Sequence, residues 1–158
     1  RLGASPLGRG RWVAAKVSLV LVTEAIQWAV LVATAVLLGW DPPSSGWLPA
    51  LGAALLGTLA FAGIGLTMAG TLPGLATLAL ANALYFVLLL TGGMVVPLEE
   101  LPGAIAAVAR LFPAAALTEV VTGSLAATGD VEGWAWPTLG AWAVLAATAA
   151  ALTFRWED

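Results

Sequence analysis

The residues best equipped for chemistry in this sequence are a few polar groups set inside long apolar runs. Glu24 and Gln27 stand three apart in the run that follows Lys16, which puts them on one face of a helix. Glu24 lies about 12 Å along that helix from Lys16, too far to pair with it. A carboxylate at that depth points to a translocation path, a cavity or a partner helix. The plainer alternative is that Glu24 and Gln27 hydrogen-bond to neighbouring helices as structural glue. Asn82 and Tyr85 repeat the spacing in a later apolar run and carry the same two readings, path or interhelical polar contact.

A second group lies between Thr91 and Ser124, where an apolar run stops at Pro97 and the charges Glu99, Glu100, Arg110 and Glu119 follow. Glu99 and Glu100 are neighbours, so on a helix they diverge by ~100° and do not converge on one reacting bond. They read as favourable negative charge ahead of a helix N-terminus. Arg110 and Glu119 would meet if the short pieces around Pro113 fold back on each other. A solvated position for each is the alternative.

Composition closes most enzymatic routes. With no histidine and no cysteine, the commonest general base, the Ser-His and Cys-His nucleophile systems, thiolate metal sites and disulfides are all missing. No G-x-x-x-x-G-K-[ST], H-E-x-x-H or G-x-S-x-G occurs, and Gly63, Gly65, Gly70 and Gly74 follow no strand that would make them a dinucleotide loop. No catalytic, metal-ligating or cofactor-binding residue is therefore assigned. Of the 158 residues, 61% are apolar and 9% charged, and the mean hydropathy is +0.98, the composition of a membrane protein. Nothing in it points to nucleic acid.

The elements that must hold these residues follow from the apolar runs. Spans are expected at residues 17–39, 48–69, 75–96 and 134–154, each long enough to cross a bilayer. Between the third and fourth spans, Pro97, Pro102 and Pro113 delimit two pieces, residues 103–112 and 114–126, too short to cross. They read as a re-entrant pair of half-helices that dips into one leaflet and returns, with Pro102 and Pro113 in first turns, where a missing N–H costs little. One proline-kinked crossing is the alternative, and it would place Arg110 and Glu119 in hydrocarbon. The fold class is thus an all-α membrane protein: four transmembrane helices plus a pair of short external half-helices.

Charge sets the expected orientation. Arg1, Arg9, Arg11 and Lys16 precede the first span and Arg155 follows the last, whereas Asp41, Glu99, Glu100, Asp130 and Glu132 fall at the opposite ends. Basic residues stay on the cytoplasmic side, so both ends of the chain are expected inside and the half-helices outside. Trp12, Trp40, Trp47, Trp134, Trp136 and Trp156 sit at helix ends, at headgroup level. Residues 1–16 read as a cytoplasmic or interfacial segment and 17–158 as a single transmembrane domain. On the second span, Ala50, Ala54, Thr58 and Ala62 form a stripe of small residues suited to close packing, within the chain or between two copies. Without the layout of a signal peptide at Arg1, the chain reads as the C-terminal portion of something longer.

The run GGMVVPLEELPGAIAAVARLFPAAALTEVVTGSL resembles the hallmark region of ABC type-2 transporter permeases, the membrane subunits of drug, antibiotic, lipid and polysaccharide exporters. Gly92, Gly93, Val96 and Pro97 match the end of a span, Leu101-Pro102 the start of a first external helix, and Pro113 and Glu119 the second. RLGASPL is similar to the end of the cytoplasmic segment before the family's third span, with Leu2, Ser5 and Pro6 at the matching positions. The resemblance covers essentially the whole chain as spans three to six. It implies an ATP-driven exporter permease of the inner or plasma membrane, with efflux and drug resistance among its associated roles. Leu2, Ser5 and Pro6 would couple to a nucleotide-binding subunit that carries ATP and Mg, and a second permease copy or homologue would complete the path within the lipid. A membrane scaffold or assembly subunit without transport is the alternative function.

Overall fold

The computed structural model of the chain describes residues 9–153. Leu2, Ser5, Pro6, Arg155 and Trp156 lie outside the described residues. Every regular element among the described residues is helical: α1 Arg9–Leu37, α2 Trp47–Thr71, α3 Gly74–Thr91, α4 Gly103–Ala109, α5 Pro113–Leu125 and α6 Ala135–Thr153, with short 3-10 turns at Ser44–Gly46 and Leu98–Glu100. Among the described residues, four stretches are long and apolar enough to cross a membrane: Ser18–Leu37, Ser44–Thr71, Gly74–Thr91 and Ala135–Thr153. The chain is an all-α membrane protein with a bent helix pair between its third and fourth spans. It divides into two compact units, one ending at Asp41 and the other starting at Pro42.

The first unit is α1. It starts at Arg9, so the segment read as interfacial up to Lys16 is helical over its second half. No proline lies between Arg9 and Leu37 to stop a helix once it starts. The helix ends in a Schellman motif: Gly39 takes φ +92°, the Trp40 N–H reaches the Ala35 carbonyl at 2.9 Å and the Gly39 N–H reaches Val36 at 3.0 Å. Glycine adopts this left-handed geometry without strain, and the last carbonyls of the helix are satisfied.

The second unit is built on α2. Its buried residues are Ala50, Ala53, Gly57, Ala60 and Gly63, in steps of three and four. Within the chain, the stripe expected at Ala50, Ala54, Thr58 and Ala62 is not the packed face: Ala54 and Thr58 are half-buried and Ala62 is exposed. A strict four-residue step winds ~40° around the helix each time, so only mixed steps of three and four stay on one face. That face packs chiefly on α6, whose buried residues Ala135, Leu139, Ala143, Ala146 and Ala150 have the same kind of spacing, and on α5. A Cβ on Gly63 would stand 2.5 Å from the Ala146 backbone, and one on Gly57 would stand 2.9 Å from Leu117. The two helices meet backbone to backbone, and dispersion across this contact replaces the hydrophobic effect that lipid cannot supply.

Leu72 and Pro73, both extended, make the turn into α3, and the Thr77 hydroxyl lies 3.2–3.4 Å from the Met68, Leu72 and Pro73 carbonyls. Only 6% of the α3 span is buried within the protein, against 28% for α6. The helix stops at Thr91, short of the expected residue 96, because Gly92 and Gly93 interrupt it and Gly93 takes φ +75°.

Then comes the bent pair. Pro102 precedes α4 and Pro113 occupies the first turn of α5, and the two helices diverge by 89°. The cause is local: Pro113 disfavours helical geometry in the residue before it, and Phe112 is extended at φ −89°, ψ 145°. Pro113, Ala114, Ala115, Ala116, Val120, Ser124 and Leu125 of α5 are buried. With Ala53, Ala135 and Leu139, Ala116 and Val120 form the core of the unit.

Candidate functional site

The bent pair is held at its corner by a knot of polar and aromatic side chains. Arg110, the residue that closes α4, places Nη2 3.4 Å from Glu132 Oε2 and its guanidinium 5.7 Å from the Trp134 ring centre. The Trp134 indole Nε1 donates to the same Glu132 oxygen at 2.6 Å. From α5, Glu119 Oε1 accepts the backbone N–H of Glu132 at 3.0 Å. Arg110 and Glu119 therefore converge on one residue of the loop before α6, and Glu132 is the carboxylate that pairs with Arg110.

Below this knot, the Leu111 carbonyl accepts the indole N–H of Trp142 at 2.7 Å. Leu111 lies in the break between α4 and α5, where the helical ladder is interrupted and a carbonyl needs another donor. Trp142 lies ~12 Å along α6 from Trp134. The corner thus reaches down beside α6, and Arg110 extends its long side chain back toward Glu132 and Trp134, as an arginine near an interface does.

Beside α5, and sharing Glu119 with the knot, a cavity of about 170 Å³ is lined by Gly92, Gly93, Pro97, Leu98, Glu99, Ala115, Thr118, Glu119 and Thr122. Its lining offers carboxylate and hydroxyl oxygens that accept hydrogen bonds. Glu99 and Glu100 are exposed in the 3-10 turn ahead of α4. Pro97 opens that turn and Pro102 closes it toward α4.

The intramembrane polar residues are placed as follows. Glu24 and Gln27 share one side of α1 with Thr23, Trp28 and Leu31. Asn82 donates its amide N–H to the Leu78 carbonyl of its own helix at 3.0 Å. Tyr85 is 60% exposed, stacks edge-on to Phe86 and lines an apolar cleft between α2 and α3 that Asn82 does not reach. The shared face expected of Asn82 and Tyr85 thus carries two separate environments.

Glu132 and Trp142 are the residues of this site that sequence reasoning missed. Trp142 carries a signal that could have found it: an indole N–H in the middle of an apolar span requires an acceptor. Glu132 carries none beyond its charge.

Among known proteins, the family model described as ABC-2 type transporter matches residues 1–126, through the end of α5. No curated protein and no solved structure matches the chain. The matched region takes in three of the spans and both arms of the bent pair, including Gly92-Gly93, Leu101-Pro102 and Pro113 with Glu119, on which the resemblance rested. The chain belongs to the ABC-2 type transporter family, as a multi-pass membrane component of its permease.

Proposed function

We propose that the chain is the permease subunit of an ATP-driven exporter, forming a translocation path with a second permease copy or homologue. Separate nucleotide-binding subunits carry ATP and Mg. Family membership together with the bent helix pair between the third and fourth spans is the observation that carries this reading. The pair sits on the outer face of the plasma or inner membrane, and both ends of the chain are cytoplasmic, in keeping with Arg9, Arg11 and Lys16 at the start of α1 and Asp130 and Glu132 after α5. Leu2, Ser5 and Pro6 contact the nucleotide-binding subunit. Glu24, Gln27 and Tyr85 are assigned to the path because polar groups at such depth are costly to retain without use. Asn82, bonded within its own helix, is assigned to helix structure.

The test is association and coupling. The permease, expressed with its natural flanking sequence and purified in lipid nanodiscs, is expected to retain a P-loop ATPase and show ATP turnover that depends on both proteins. Replacing Ser5 and Pro6 together is expected to abolish the association while membrane insertion persists. Stable insertion with a membrane partner but without any ATPase would instead identify a scaffold or assembly subunit.

A further inference from the structure

The two arms of the bent pair are held very differently. α5 buries seven of its 13 residues and shares a core with α2 and α6, whereas α4 buries one of its seven, Ala109. So short a helix has little stability of its own, and a segment with so few buried contacts opens more readily than its neighbour. Both ends of the stretch that carries α4 are places where the chain turns: Gly93, at φ +75°, and Phe112, extended ahead of Pro113. We propose that residues 94–110 form a lid over the polar cavity beside α5, with Glu132 as the clasp that holds it closed.

The cavity is divided between the two arms. Pro97, Leu98 and Glu99 belong to the lid, and Thr118, Glu119 and Thr122 to α5. What packs the lid on α5 is a small cluster in which Leu98 and Ala109 meet Ala115. Movement of the lid therefore opens the cavity and leaves the core of α2, α5 and α6 as it is.

Glu132 joins the arms through different atoms. Its backbone N–H donates to Glu119 Oε1 of α5 at 3.0 Å, which ties the loop to the anchored arm. Its Oε2 stands 3.4 Å from Arg110 Nη2, which ties the end of the lid to the loop. Trp134 steadies this second tie, donating to the same oxygen at 2.6 Å with its ring 5.7 Å from the guanidinium. Arg110 is the one basic residue between Lys16 and Arg155, so no other side chain of that stretch can replace it. Next to it, the bond from Trp142 to the Leu111 carbonyl fixes the point about which the lid turns. Arg110 and Glu132 are 45% and 46% exposed, so their release changes the balance of open and closed forms by only ~2–5-fold. A clasp of that strength opens reversibly. It requires no transport activity.

The experiment measures distances between pairs of spin labels in the intact permease in lipid nanodiscs, where the absence of native cysteine leaves the choice of sites free. Ala104→Cys, exposed on α4, reports the lid against Leu145→Cys, exposed on α6, and Ala126→Cys, exposed at the end of α5, reports the anchored arm against the same reference. Glu132→Gln keeps the backbone N–H that Glu119 accepts and removes the charge that Arg110 pairs with. It is expected to raise the displaced population of the Ala104 pair by ~2–5-fold and to leave the Ala126 pair unchanged. Arg110→Lys, which keeps the charge, is expected to resemble the parent in low salt, and salt at about 1 M is expected to open the parent as Glu132→Gln does. If Glu132→Gln does not insert, the salt series on the parent carries the same test. An Ala104 distribution that neither Glu132→Gln nor salt alters overturns the proposal. So does a shift of both pairs together, which would mean that the bent pair moves as one body.

Discussion

Glu119 accepts the Glu132 backbone N–H with Oε1, and Glu132 in turn pairs with Arg110 and Trp134 through Oε2. These contacts differ in worth. The ion pair joins side chains 45% and 46% exposed, so it contributes ~0.2–1 kcal/mol and weakens with salt. The Glu119 bond fixes a backbone group and needs only an acceptor oxygen. Glu119→Gln is therefore expected to keep most of the stability, whereas Glu119→Ala loses ~0.5–1.5 kcal/mol. Arg110→Ala is expected to cost less than Glu119→Ala, with the difference from the parent vanishing in high salt. Apparent melting temperatures in detergent measure all three, and equal losses for Glu119→Gln and Glu119→Ala would show that the bond does not hold the loop. In the sequence, Arg110 and Glu119 stand out because charges are rare there, and their mutual pairing is the simplest expectation from a fold-back of two short helices. The actual partner, Glu132, is brought in by the path of residues 126–134, which no local pattern encodes.

At the scale of elements, proline and glycine placement reports the breaks well and the packing faces less well. Pro113 ends one arm and starts the next because it restricts Phe112, a covalent effect visible in any sequence. Gly92 and Gly93 end α3 before the apolar run does, so hydropathy alone overestimates that span. The face of α2 that packs within the chain is not legible from spacing, because small residues are so common in this helix that several stripes compete and only contact with α6 chooses among them. Two glycines separate the effects. Gly63→Ala puts a methyl group against the Ala146 backbone and is expected to destabilise by about 1–3 kcal/mol, the usual cost of overpacking. Gly65→Ala, two residues on and facing open space, is expected to be neutral or to stabilise by up to ~1 kcal/mol through the unfolded chain. Thermal unfolding of the two variants side by side checks the α2–α6 contact, and a harmless Gly63→Ala would mean the helices are not in backbone contact.

For the whole molecule, the decisive question is whether the bent pair crosses the bilayer. Its arms contain 7 and 13 residues, ~10 Å and ~20 Å of helix. Laid end to end they would match the ~30 Å hydrocarbon core. At 89° to each other they do not add, and the longer arm alone falls short. A pair that returns to its own side makes Glu99 and Thr128, which flank it, face the same solution, while Gly74, at the start of α3, faces the other. A pair that crosses would put Thr128 with Gly74 and separate both from Glu99. The chain has no cysteine of its own, so Glu99→Cys, Thr128→Cys and Gly74→Cys can each be probed with an impermeant maleimide, before and after the membrane is opened. Glu99→Cys and Thr128→Cys are expected to label together in intact cells and Gly74→Cys only after permeabilisation. The comparison between Glu99 and Thr128 holds whichever side is cytoplasmic, so it tests the return of the bent pair separately from the orientation set by the basic residues. Opposite labelling of those two positions would make the pair a fifth crossing and remove the outer-face position assigned to it.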